Sequence, residues 1–132
     1  MAGETNLTSL LKSMAPSLLA GEYVFVSFAN AQYGDHANLQ PIAMVHEVEG
    51  VTLVVPRDVA DEHGLAYHAV FCCITLTVHS SLEAVGLTAA VSAQLASRDI
   101  SANVVAGYYH DHIFVPAAQA AQAMALLSSM AS

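Results

Sequence analysis

Short runs of branched and aromatic residues alternate with helical stretches along this chain. The pattern predicts an α+β fold in which helices lie on one face of a mostly antiparallel sheet. Three observations carry that expectation. The apolar runs near residues 23–29, 42–48, 51–55 and 71–78 are too short for helices and are bounded by turn formers. From residue 71 onward the order reads strand, helix, strand, strand, helix. No linker rich in Pro, Gly or Ser interrupts the chain, so two halves sharing one continuous sheet or core are expected rather than two independent domains.

Each element has a local cause. Asn6 is a side-chain cap for a short one-sided helix carrying Leu7, Leu10, Leu11 and Met14, closed before Pro16. Residues 23–29 alternate, with Val24, Val26 and Phe28 on one face. Gly34, Asp35 and Asn38 mark residues 32–40 as a loop, and Glu49-Gly50 is read as a hairpin turn between two strands. Pro56 suits the first position of a short helix ending at Gly64. In residues 71–78, Cys72, Ile74, Leu76 and Val78 share the face expected to meet helices.

Residues 82–97 hold one possible breaker, Gly86, and Leu87, Val91 and Leu95 form a buried stripe on the expected helix. Ser80-Ser81-Leu82-Glu83 fits a capping box at its start, Ser80 accepting from the Glu83 amide while Glu83 reaches back. Strands are expected at 100–106 and 111–115, separated by Gly107-Tyr108-Tyr109, and Pro116 opens a final alanine-rich helix.

Composition narrows function. Hydrophobic residues make up 55% of the 132 residues and charged ones 11%, against roughly a quarter in an average soluble domain, which favours burial of extra surface between subunits. Lys12, Arg57 and Arg98 are the only Lys and Arg, and the net charge of −8 leaves no basic patch for nucleic acid or an anionic membrane. No apolar run approaches the roughly 20 residues of a membrane span, and the first residues do not resemble a signal peptide. Adjacent Cys72 and Cys73 read as two reduced thiols of a cytoplasmic protein, without Cys-x-x-Cys spacing.

The residues that speak about function lie in the last two-fifths of the chain. Ser80-Ser81-Leu82-Glu83-Ala84-Val85-Gly86-Leu87-Thr88, Ile100-Ser101-Ala102-Asn103-Val104-Val105 and Tyr109-His110-Asp111-His112-Ile113-Phe114-Val115-Pro116 together resemble the ACT domain. This is the βαββαβ regulatory module attached to enzymes of amino-acid metabolism. The likeness is greatest to small stand-alone bacterial ACT-like proteins, and to the ACT modules of aspartate kinases and arginine sensors. It implies a ferredoxin-like fold, side-by-side pairing in a homodimer, and a small-molecule site, most plausibly for an amino acid, at the pairing surface. Residues 1–68 would be a degenerate ACT-like half sharing its core with a second half at 69–132, giving two tandem units. Departures are His79 and His110, and the lack of an attached enzyme domain.

The expected site has a physical rationale. A free amino acid presents a carboxylate and an ammonium, so its site needs anion donors and an acceptor held close together. Helix amides beginning at Leu82, with Ser80, Ser81 and Glu83 around them, would supply the donors, and Gly86 would permit close backbone approach. Asp111 would receive the ammonium, beside Asn103 and Val104. Ser80 and Glu83 could instead merely cap a helix, and Asp111 could be a solvated strand end. His110 and His112 share a strand face but amount to half a metal site, so neither metal nor cofactor is expected. No nucleophile, base and orienting group form a reaction centre, so the chain is read as no enzyme. The alternative is an assembly module that binds protein and no ligand.

Overall fold

The computed structural model describes residues 6–79 and 81–131. In chain order the elements are α1 (Leu7–Lys12), β1 (Pro16–Leu18), β2 (Tyr23–Phe28), a 3-10 turn at Ala37–Leu39, β3 (Ala43–Glu47), β4 (Gly50–Pro56) and α2 (Arg57–Glu62). Then come β5 (Phe71–Leu76), α3 (Leu87–Ala96), β6 (Asn103–Ala106), β7 (Asp111–Pro116), a second 3-10 turn at Ala117–Gln119, and α4 (Ala120–Ser129). They form two compact units, one of residues 20–71 and one joining the described residues through Leu19 to those from Cys72 onward.

The 20–71 unit is an antiparallel sheet in the order β3-β4-β2. Alternation places Val24 and Val26 on one face with Val51, Leu53 and Val55, and Ala60 of α2 covers them. The segment between β2 and β3 is irregular, as its turn formers predict, yet Leu39 of its 3-10 turn is buried in that core. The β3–β4 turn is one residue earlier than expected. Glu47 pairs with Gly50, so Val48 and Glu49 make the turn and Gly50 opens the strand. Glycine is required there because a Cβ would stand 2.3 Å from the Phe28 carbonyl oxygen at φ +143°.

The other unit orders its strands β1-β5-β7-β6, with β1 antiparallel to β5 and β6 antiparallel to β7. From β5 the chain runs β-α-β-β-α, and the strand that completes a ferredoxin-like βαββαβ set is β1, supplied from the N-terminal side. β1 escapes the sequence pattern because three residues, Pro16 to Leu18, are too short to show alternation. As expected, Cys72, Ile74, Leu76 and Val78 face the helices, and Leu87, Val91 and Leu95 form a buried stripe. Leu10 and Met14 of the N-terminal helical segment are fully buried in the same core.

Two further expected boundaries move. The helix expected from Leu82 starts at Leu87, because the Glu83 N–H donates to Ser81 Oγ (3.1 Å) and the Ala84 N–H to Ser81 O (3.0 Å). These bonds close a turn that competes with helix. Gly86 then stands at the N-cap with φ +104°. The strand expected from Ile100 starts at Asn103, because residues 99 and 100 terminate α3. Asp99 adopts φ +57°, its N–H donates to Ala96 O, and the Ile100 N–H reaches back to Leu95 O. That is a Schellman stop with Ile100 and Leu95 both in the core.

Candidate functional site

The β5–α3 connection and the end of the β6–β7 hairpin meet in a crevice of about 80 Å³. Its walls are Ser81, Leu82, Ala84, Leu87, Thr88, Ala106 and Asp111. Each wall has a local origin. Ser81 and Leu82 are held by the turn just described. Leu87 and Thr88 are the first two residues of α3, whose Gly86 cap has no side chain to engage the leading amides. Ala106 and Asp111 are cross-strand partners, and Asp111 lies on the same face of β7 as the core residues Ile113 and Val115.

Three expected site residues, Ser81, Leu82 and Asp111, therefore share one crevice. Ser80 lies outside the described residues, and with it the proposed Ser80–Glu83 capping box. Glu83 is exposed and spends its amide on Ser81. Gly86 shapes the α3 entry, and a Cβ on it would come within 3.2 Å of Leu7 Cδ2. Val104 packs its side chain against the core. Asn103 pairs with Phe114 and alternates with Val104, so its side chain stands on the sheet face opposite Asp111, where Nδ2 is 3.4 Å from the Phe114 carbonyl oxygen. Thr88 is a wall that sequence reasoning passed over. Its signal was the one-turn spacing from Ala84 and the hydroxyl at the second position of α3.

Electrostatics at the crevice centre on Asp111. Burial is the main influence and pushes its carboxyl above the ordinary range, while His112 and then His110 pull it back down. His112 lies on the other face of β7, and His110 precedes the strand. His112 Nδ1 is 2.9 Å from Thr75 Oγ1, and burial holds its pKa below the ordinary value. His110 Nδ1 is 3.4 Å from the Val78 carbonyl oxygen, and the His79 and Tyr109 rings meet tilted by 48° with centroids 5.2 Å apart. Among the described residues, no group of three His, Cys, Asp or Glu side chains is arranged to hold a metal ion. Cys73, fully buried on β5, has its thiol pushed up to about 11 by burial, which makes it inert. No described helix is long and apolar enough to cross a membrane.

The 20–71 unit carries a larger open cavity of about 700 Å³, lined by Glu22, Tyr23, Arg57, Asp58 and Asp61 among others. Arg57 is engaged there. Its Nη1 is 2.7 Å from Glu22, its Nε is 3.7 Å from Asp61 and donates to Tyr67 Oη at 3.2 Å, and Tyr67 Oη donates to Asp61 at 2.7 Å. This network ties α2 to the start of β2.

Comparison with known proteins agrees with this architecture. ACT-domain family models match residues 2–73 and 69–129. A crystal structure from Vibrio cholerae, described as a protein of unknown function and possible transport protein, is 52% identical with a TM-score of 0.87. The match covers 96% of each chain. The regulatory subunit of aspartate kinase from Thermus thermophilus has a TM-score of 0.65 at 12% identity over 90% of this chain and 98% of its own, a likeness of fold alone. An Agrobacterium tumefaciens protein has a TM-score of 0.70 at 16% identity, covering 88% of this chain and 87% of its own. No curated protein matches the sequence. The chain belongs to the ACT-domain family, as two tandem α+β domains of the regulatory class that generally binds small molecules such as amino acids.

Proposed function

We propose that this chain is a non-catalytic regulatory module that binds a free amino acid in the crevice between Ser81 and Asp111, acting as a homodimer in the cytoplasm. The observation that carries the reading is the shared crevice itself. A half-buried carboxylate and the uncapped first turn of a ten-residue helix line one small space. The ligand carboxylate would take the α3 amides at Leu87 and Thr88 together with the Ser81 and Thr88 hydroxyls. Its ammonium would take Asp111.

The crevice, of about 80 Å³, is small and partly open, so it would take at most the head group of such a ligand. The ligand side chain would lie outward, along Leu82 and Val85, which are 64% and 83% exposed. Calorimetry or thermal shift against the twenty amino acids tests this reading. Stabilisation by at least one at millimolar concentration, lost in Asp111→Ala, is the expected result, and silence across the panel sinks it.

The exposed Leu82, Val85, Tyr108 and Tyr109 favour a second reading, an assembly module without a ligand. Under it Asp111→Ala leaves every measured property of assembly and of ligand response unchanged.

A further inference from the structure

The charge around the crevice restricts which amino acid fits. Among the described residues, Asp111 is the only ionisable side chain in the walls, and the other polar side chains there are the hydroxyls of Ser81 and Thr88. The nearby turn adds a further carboxylate, Glu83. No Lys or Arg lies among the described walls. Lys12 ends α1 and lines no part of the crevice. Arg98 follows α3, which is ten residues and therefore about 15 Å long, and it is the opposite end of α3 that faces the crevice. Arg57 is held by Glu22 and Asp61.

Resting on the ligand reading above, we infer that this site selects amino acids with uncharged or basic side chains and rejects acidic ones. The α-carboxylate would take the α3 amides, and among the described walls no Lys or Arg is set against a second carboxylate. A side-chain carboxylate within about 7 Å of Asp111 adds a like-charge repulsion that the corresponding amide lacks, and at the effective dielectric of a partly buried site this weakens binding about ten-fold or more. The imidazoles that act on Asp111 are His112, beside it on β7, and His110, just before the strand. The comparison therefore belongs at pH 8, where imidazoles are uncharged. His79 and Glu83 are the remaining titratable groups on the β5–α3 connection.

The experiment is calorimetric titration of the full chain at pH 8 with all twenty amino acids, read through the near-isosteric pairs aspartate and asparagine, and glutamate and glutamine. The expected result is that the acidic member of each pair binds at least about ten-fold more weakly than its amide, and that added salt narrows the gap. Aspartate or glutamate binding as tightly as its amide overturns the selectivity and leaves the site standing. A gap that salt does not alter overturns its electrostatic origin. Silence from all twenty removes the site reading on which the inference rests.

Discussion

At the scale of single residues, Asp111 carries two opposed consequences. Burial raises its carboxyl pKa, so between the ordinary carboxylate value and the raised one the folded state binds more protons than the unfolded state. Stability from this group therefore falls as pH rises through that window. Asp111→Asn should raise the unfolding midpoint of the unliganded protein at neutral pH while removing stabilisation by amino acids. Thermal melts with and without ligand check both halves of that expectation. His112 has the opposite sign. Its pKa is lowered by burial, so stability is lost as pH falls below about 6.5 toward its folded value, where the unfolded chain takes the proton first. His112→Gln should flatten the decline in melting temperature between pH 7.5 and 5.5. Ser81 stood out in the serine-rich junction and Asp111 through the ACT resemblance, although the helix entry lies five residues later than the sequence suggested. Asn103 was not, because its face depends on register. Residues 107–110 connect Ala106 to Asp111, and a connection one residue longer or shorter would have put Asn103 on the crevice side.

At the scale of elements, α3 shows how termini are set by short bonds rather than by propensity. Its apolar stripe was readable from a four-residue period, whereas its ends depend on a serine turn and on a residue in the left-handed region. Asp99 occupies that region at φ +57° where glycine pays no steric penalty, so Asp99→Gly should stabilise by about 0.5–1 kcal/mol, measured by urea unfolding. Gly86→Ala should cost about 1 kcal/mol or more, from φ +104° and the 3.2 Å approach to Leu7. Because Gly86 sets the α3 entry, the same change should also weaken amino-acid binding. In the β3–β4 hairpin, Gly50→Ala should destabilise by roughly 2 kcal/mol or more, since the obstructing atoms are backbone. The turn itself was placed one residue late because Glu49-Gly50 looks like a turn dipeptide, while the glycine is needed for the approach of Phe28 rather than for reversal of the chain.

At the scale of the whole molecule, the consequential feature is that one unit is discontinuous in sequence. Leu10 and Met14 are fully buried with residues more than 60 positions away, and β1 pairs with β5. A fragment of residues 69–132 should therefore fail to fold. It loses two core side chains worth about 2–5 kcal/mol each, against a typical domain stability of about 5–15 kcal/mol, together with an edge strand. Addition of a peptide of residues 1–19 should restore amide dispersion in its NMR spectrum. Periodicity and turn chemistry alone determined the α+β class, most of the strands and the buried stripe of α3, because these depend on spacing along the chain, whereas the ACT resemblance pointed to the segment that holds the crevice. Only the tertiary structure decided that β1 completes the second sheet, that Asn103 faces away from Asp111, and that Thr88 lines the crevice. Those depend on strand register and on contacts between distant segments, which no local pattern encodes.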